Sequence, residues 1–438
     1  MKDDNKDMKK ALSFLVSLSS IALVACSSIS PLKSFKQLTN PEKLEHPYSS
    51  VQWNDPEYKE FVKKMKSFSL KLSEAYSINE FNDNNIAISP ASIELCLGLS
   101  IRCANSETRE QLLKAMDVDY ESFNKYYKYF YNSILSSPDS YNKGQITLSN
   151  SMWFDNDVPL KKDGLNGLEN DYYCYSYEVD FNGKNSKTNQ AMADFVKKQT
   201  KNLLHPNFSF DPLTFFVLMN TLYVKDTWGY DISEIEYTDQ YKFTNADGTV
   251  SNKKLLDGLY TTCKAIQQDS FSAFYEPLYR TCLYFIKPEP GHTIKEVFTK
   301  ENIEYITNNS NYTYQDDTLL ERYHTHCVFP EFTVNTDIDL IELLSNSFNI
   351  KSLFDDACDF SNITDAFVYC SEIKHMLKLI VNNKGIEGAA LTYAALSGAA
   401  GPDEYKDVYE TFLVDKEFGF ILTRNNAILF SGIISNID

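Results

Sequence analysis

After residue 25 the 438-residue chain has no apolar run long enough to span a bilayer, so no membrane-crossing helix is expected in its body. Glycine and proline are scarce, with 15 and 14 residues, which excludes collagen-like and low-complexity architectures. Positive charge is also short: 42 Lys and Arg stand against 60 Asp and Glu, a formal net charge of −18. A field of that sign repels phosphate backbones and no basic patch offsets it, so no nucleic-acid partner is expected. The common catalytic signatures are missing, with no GxSxG elbow, no HExxH helix and no Walker loop. The eight cysteines beyond Cys26 follow no CxxC or other framework spacing, and most are expected as buried free thiols.

What is present is apolar and aromatic. Hydrophobic residues make up 43%, and 29 Tyr and 29 Phe rule out a mostly disordered chain. The material suffices for one large domain or two ordinary ones.

The N-terminus has its own pattern. Lys2, Lys6, Lys9 and Lys10 precede an apolar run from Ala11 to Ala25 that is too short to span a membrane comfortably. The run ends in Leu23-Val24-Ala25-Cys26-Ser27, which resembles a bacterial lipobox. That resemblance implies a lipoprotein signal peptide over 1–25, acylation of Cys26, and export to the cell envelope, at the outer surface or outside the cell. Residues 26–52 read as a flexible tether, and 53–438 show neither repeat nor linker.

Within the body, Phe61, Met65, Phe68, Leu72 and Ala75 recur at helical spacing and predict a helix. Asn85 to Ile88 reads as a short strand that Ser89-Pro90 stops, starting a second helix. A further helix is expected over Thr108–Met116, and Tyr126, Tyr127, Phe130 and Tyr131 fit the packing face of another. Strands are expected at Ile146–Met152, Phe216–Val224, Glu331–Asn335 and Leu377–Val381, and as a pair from Phe418 to Ile434 joined at Arg424-Asn425-Asn426. Helices dominate the first part and strands the second, which indicates an α+β domain. His324, His326 and Cys327 are the only cluster of metal-like types. The two histidines would share one face of a strand, but no third ligand is near in sequence, so no metal is expected. No cofactor is expected either.

The informative stretch begins at Asn383-Lys384-Gly385 and runs to Pro402, dominated by small residues. Every second residue from Ile386 (Gly388, Ala390, Thr392, Ala394 and Leu396) is apolar or small enough to face a core. The alternate face carries Glu387, Ala389, Leu391, Tyr393, Ala395 and Ser397. Between Gly385 and Gly401 there is no proline, and the single charge lies on the outer face, so this segment can enter a sheet.

From about residue 53 to 437 the sequence resembles a serpin. Gly385 to Thr392 matches the family's hinge, and Asn85 with Ser89-Pro90 and Ser92 matches its shutter signature. Thr108 with Gln111-Leu112, Asn220 to Trp228, Phe329 to Phe332, Leu353 to Ser361, His375, and Leu429 to Gly432 match further blocks in order. The resemblance implies about nine helices around three β-sheets, with a reactive-centre loop exposed at about 385–412. It also implies a suicide inhibitor of serine-type endopeptidases rather than an enzyme. The loop is bait; once cut it inserts into the main sheet and traps the acyl-enzyme. Cysteine proteases form the same kind of acyl-enzyme and fall within the same reading. Gly385 would be the hinge and Ile386 to Leu396 the inserting strand. Ser92, Asn220 and His375 would form the shutter, and Trp228 would mark the breach.

The resemblance implies a scissile bond about fourteen residues beyond the hinge glycine, at Ala399-Ala400, which would suit an elastase-like protease. Lys406-Asp407 is the alternative and would suit a trypsin-like one. The molecule is expected to be a monomer whose partners are the target endopeptidase and, through its acyl anchor, a membrane. Departures from the family pattern are Asn383 for Glu, Ile386 for Thr or Ser, Gly388 for Ala, and Glu417-Phe418 for Pro-Phe. A non-inhibitory serpin acting as a surface binding or structural lipoprotein is the other reading.

Overall fold

In the computed structural model the stripe from Phe61 to Leu72 is buried along helix α1 (Pro56–Glu80), which Asp55 caps by accepting from the Glu57 N–H. The structure describes residues 35–42, 54–136, 144–181, 186–229, 234–309, 321–386 and 406–437. The other helices among them are α2 (Pro90–Cys103), α3 (Ser106–Met116), α4 (Tyr120–Ile134) and α5 (Lys162–Tyr172). They continue as α6 (Ser186–Gln199), α7 (Ile294–Val297), α8 (Lys300–Asn309) and α9 (Ile341–Phe348). Tyr126, Tyr127, Phe130 and Tyr131 are buried on α4 as packing residues.

The strands begin with β1 (Lys36–Thr39), β2 (Ile86–Ile88), β3 (Gln145–Asp155), β4 (Cys174–Val179) and β5 (Phe216–Lys225). Then come β6 (Glu236–Thr238), β7 (Leu255–Thr261), β8 (Ile266–Gln267), β9 (Phe271–Pro277) and β10 (Cys282–Pro288). After β11 (Glu321–Pro330) and β12 (Phe332–Asp339) follow β13 (Lys374–Asn382) and the two-residue β14 (Gly385–Ile386). β15 (Lys406–Leu413), β16 (Phe418–Arg424) and β17 (Ala427–Ile434) complete the set.

Where three sheets are expected, the ladders of the described residues form four: β1-β4-β3-β5, β2-β17-β16-β10-β9-β8, β15-β11-β7-β6 and β12-β13-β14. The first and last are two halves of one main sheet. They face each other along β5 and β13, which share no ladder pair among the described residues. Among the described residues β14 alone pairs with both. It runs antiparallel to β13 through Val381–Ile386 and Asn382–Gly385, and antiparallel to the continuation of β5 through Asp226–Ile386. β5 and β13 are therefore parallel, and the slot between them takes a strand running opposite to both.

One face of the main sheet is buried throughout and the other is buried over β3 and β5, while β12 exposes Thr333, Asn335 and Asp337 on that second face. Leu218, Leu222, Val224, Leu377, Leu379 and Val381 join the principal core. On the other face Trp153, Val217 and Met219 pack with Phe195 of α6, the Trp153 and Phe195 rings meeting edge-on at 5.6 Å. The expected final strand pair is β16–β17, and Asn425 and Asn426 make its turn at φ of 48° and 69°, which asparagine tolerates.

One expectation is corrected. Residues 36–39 lie in the segment read as a flexible tether, yet they form β1 and extend the main sheet beside β4. Thr39 Oγ1 donates to the Cys174 carbonyl at 2.6 Å and Lys36 pairs with Glu178 at 2.7 Å. An unpaired sheet edge supplies the backbone partners that this polar tetrapeptide needs, and no periodicity of its own is required. All eight cysteines of the described residues are unpaired, five of them buried.

Candidate functional site

The slot has a built top. Gly385 adopts φ +124°, and a Cβ on it would lie 2.1 Å from the Asp226 carbonyl oxygen. Only glycine lets the chain pass there. Ile386 follows, fully buried, exchanging backbone hydrogen bonds with Asp226 at 2.9 and 3.0 Å. Trp228 is fully buried, donates its Nε1–H to the Asn382 carbonyl at 2.9 Å and packs its ring against Phe329. Asn383, where the family's glutamate is missing, is still tied down. Its N–H donates to Glu331 at 3.2 Å, its side chain to Glu234 at 3.4 Å, and its carbonyl accepts from Ile235. Asp226 closes the arrangement by accepting from the Arg280 N–H and the Thr281 hydroxyl, while burial pushes its carboxyl up to about 6.

Lower in the slot the shutter residues converge. Ser92 on α2 hydrogen-bonds Asn220 on β5, and the Asn220 amide donates to Asn150 on β3 at 2.8 Å. Asn150 in turn donates to the Tyr127 hydroxyl and the Tyr172 carbonyl, both at 2.8 Å. Across the slot His375 of β13 accepts the Ser89 N–H on Nε2 at 3.0 Å. That bond requires an unprotonated Nε2, and burial lowers the imidazole to about 4. Ser92, Asn220 and His375 line a void of about 10 Å³, roughly the space for one water molecule.

The far end of the loop belongs to another sheet. Lys406 and Asp407 open β15, opposite Glu321 and Arg322 of β11 in a parallel ladder. Asp407 receives Arg322 at 2.6 and 3.1 Å and His324 at 2.9 Å, which hold its carboxyl down at about 2. His326 meets Asp257 at 2.7 Å, while Cys327 is buried on the opposite face. Among the described residues no group of three or more His, Cys, Asp or Glu is arranged to hold a metal. Glu387, Gly388, Ala389, Ala390, Leu391, Thr392, Ala399, Ala400 and Cys26 lie outside the described residues.

The structure thus brings together Ser92, Asn220 and His375, and separately Gly385, Ile386 and Trp228. Sequence reasoning missed Asn150 and Asp226. An asparagine between serines in an otherwise apolar strand was the available signal for the first. The acid between Lys225 and Thr227 carried none.

A family profile described as Serpin (serine protease inhibitor) matches residues 63–437. The chain belongs to the serpin family. Its relatives include human serpin I2, 24% identical with 86% of this chain and 92% of that one covered. Iripin-2 of Ixodes ricinus is also 24% identical, over 88% and 95%, and bovine plasminogen activator inhibitor 1 is 22% identical, over 80% and 86%. Among solved structures, the thermophilic serpin tengpin in its native state superposes with a TM-score of 0.70 at 21% identity, covering 93% of this chain and 98% of that one. Native protease nexin-1 with heparin gives 0.70 at 21% identity, over 86% and 100%. At that identity these two establish a shared fold.

Proposed function

We propose that this serpin is a suicide inhibitor of endopeptidases whose cut loop fills the slot between β5 and β13. The protease nucleophile attacks the Ala399 carbonyl carbon, the Ala400 amine departs, and the arm from Ile386 onward carries the acyl-enzyme into the sheet. Ala399-Ala400 is preferred to Lys406-Asp407 because the latter already sits in a ladder with its carboxylate bound, whereas a protease cleft needs a segment free of both. Small residues at the cut suit an elastase-like pocket.

One observation carries the reading. Continuing the pairing of Ile386 downward sets position 388 between Leu379 and Val224, and 390 between Leu377 and Leu222. Position 392 then falls between His375 and Asn220, 394 between Ile373 and Leu218. The loop offers Gly388, Ala390, Thr392 and Ala394 at those levels. On insertion the one hydroxyl among these four would meet the one polar level of the four, and the small apolar residues would meet the apolar levels. Insertion of about ten residues would gain on the order of ten hydrogen bonds at roughly 1 kcal/mol net each. The uncut form is then kinetically trapped above the cut one.

The test is incubation with elastase-like and trypsin-like proteases. A covalent complex that survives boiling in detergent is expected, with cleaved serpin melting well above intact serpin. Thr392→Arg places a charge at the His375 level and should give cleavage without complex. Cleaved product alone from the wild type across a broad panel, with no rise in melting temperature, would leave a non-inhibitory surface protein as the answer.

The order of lysines, apolar run and Leu-Val-Ala-Cys further supports export and acyl anchoring at Cys26. Wild type recovered in the membrane fraction and Cys26→Ser released from it is the expected result. Equal partitioning would count against the anchor.

A further inference from the structure

Two tyrosines stand out on the sheet that receives the loop's far end. Tyr260 on β7 and Tyr409 on β15 are 62% and 68% exposed, on a strand face where polar residues are the rule. Neither hydroxyl bonds to a described residue. Both rings are nonetheless held. Tyr409 stacks on His324 with centroids 4.9 Å apart and planes 16° from parallel, and Tyr260 stacks on His326 at 4.7 Å and 19°. Each imidazole is pinned on its own carboxylate, His324 on Asp407 and His326 on Asp257. The two tyrosines meet edge-on at 6.0 Å, so four rings form one ordered patch.

Its properties are those of an interface. Preordered aromatic rings lose little conformational freedom on binding, and tyrosine and arginine are the residue types that dominate binding energy. Arg322 pairs with Asp407 here, so the patch carries little net charge on a chain of net charge −18.

Position selects the occupant. Tyr409 lies three residues, roughly 10 Å, beyond Lys406, where the loop enters β15. The proposed scissile bond lies six residues before Lys406, at most about 20 Å of extended chain. A standard interface covers about 800 Å² on each partner, a disc roughly 30 Å across. We infer that Tyr260 and Tyr409 form a second docking surface for the body of the protease engaged on the loop. This rests on the inhibitory reading and adds a specificity-determining contact to it. The surface acts before cleavage: it slows dissociation of the encounter complex and leaves insertion untouched.

The test uses whichever protease gives a covalent complex with the wild type, against the variant Tyr260→Ala/Tyr409→Ala. The second-order rate of complex formation should fall about ten-fold or more, with the stoichiometry of inhibition and the melting temperature unchanged. Cleavage of a free peptide spanning 386–405 supplies the rate without the patch, and the variant should approach it. Should the double variant be unstable, Tyr260→Ser and Tyr409→Ser are measured singly, each expected to slow the reaction at least three-fold. Equal rates for wild type and variants would overturn the docking surface and leave the inhibitor reading standing. A rise in stoichiometry at an unchanged rate would do the same, since it assigns the tyrosines to insertion. A wild type that forms no complex with any protease removes both.

Discussion

The two roots of the loop are held by different physics. At the near root, Gly385 and Ile386 are buried, laddered on both sides and free of charge, and their fit depends on backbone shape. At the far root, Asp407 is exposed and held by Arg322 and His324 beside a single ladder. The near root is a seed for further pairing, because each new residue added below it finds two waiting strands. The far root is an anchor that solvent can screen. On the proposed inhibitory reading, a molecule built this way would commit its loop to the slot in one direction only, from the breach downward. The three experiments below separate the roots, in decreasing order of expected effect.

Gly385→Ala strikes the near root directly. The new Cβ meets the Asp226 carbonyl, and φ +124° is strained for any side chain. Loss of about 2 kcal/mol or more is expected, read as a lower melting temperature of the uncut protein. The stoichiometry of inhibition should rise with it, because the seed strand is displaced. Unchanged melting would show that Gly385 does not hold this backbone geometry in solution.

The second experiment acts lower in the slot. His375 is neutral in the folded state down to about pH 4, whereas in the unfolded chain it takes up a proton near 6.5. Acidification through that window therefore favours unfolding, and the histidine's share of the stability is present above pH 6.5 and lost as pH falls to 4. Asp226 works in the opposite direction over an overlapping window, since its raised carboxyl binds a proton more readily when folded. Comparison of wild type with His375→Gln cancels that contribution. The stability advantage of the wild type should shrink steadily from pH 6.5 to 4; a constant difference would sink the assignment.

This division also marks what could be read in the chain. The α1 stripe, the Ser89-Pro90 junction, the β16–β17 turn and the alternation beyond Gly385 are local patterns, and local patterns report which face of an element is buried. They do not report what lies opposite. Asn150, Asp226 and the pairing of Arg322 with Asp407 are legible only after β3, β5 and β11 have found their neighbours. β1 was hidden for the same reason, being a polar segment made into a strand by the edge it joins. α5 escaped because Gly164 and Gly167 lower helix propensity, yet both are wanted for contact. A Cβ at either position would collide, with the Asn362 carbonyl at 2.5 Å or the Arg102 guanidinium at 2.1 Å. Ser92, Asn220 and His375 were named from family resemblance, and spacing alone would not have joined three residues from α2, β5 and β13.

The smallest effect belongs to the far root. Asp407→Asn removes the charge that Arg322 and His324 share while leaving the β11–β15 ladder and the shape of the side chain in place. Exposed ion pairs contribute little and are screened by salt. The variant should melt only slightly below wild type in dilute buffer, and the gap should close in about 1 M salt. Gly385→Ala should keep its full deficit under the same conditions, because neither a steric clash nor a strained φ responds to ionic strength. If salt rescues Gly385→Ala, or leaves the Asp407→Asn deficit intact, the two roots are not held by the different forces assigned to them, and the one-way filling of the slot loses its physical basis.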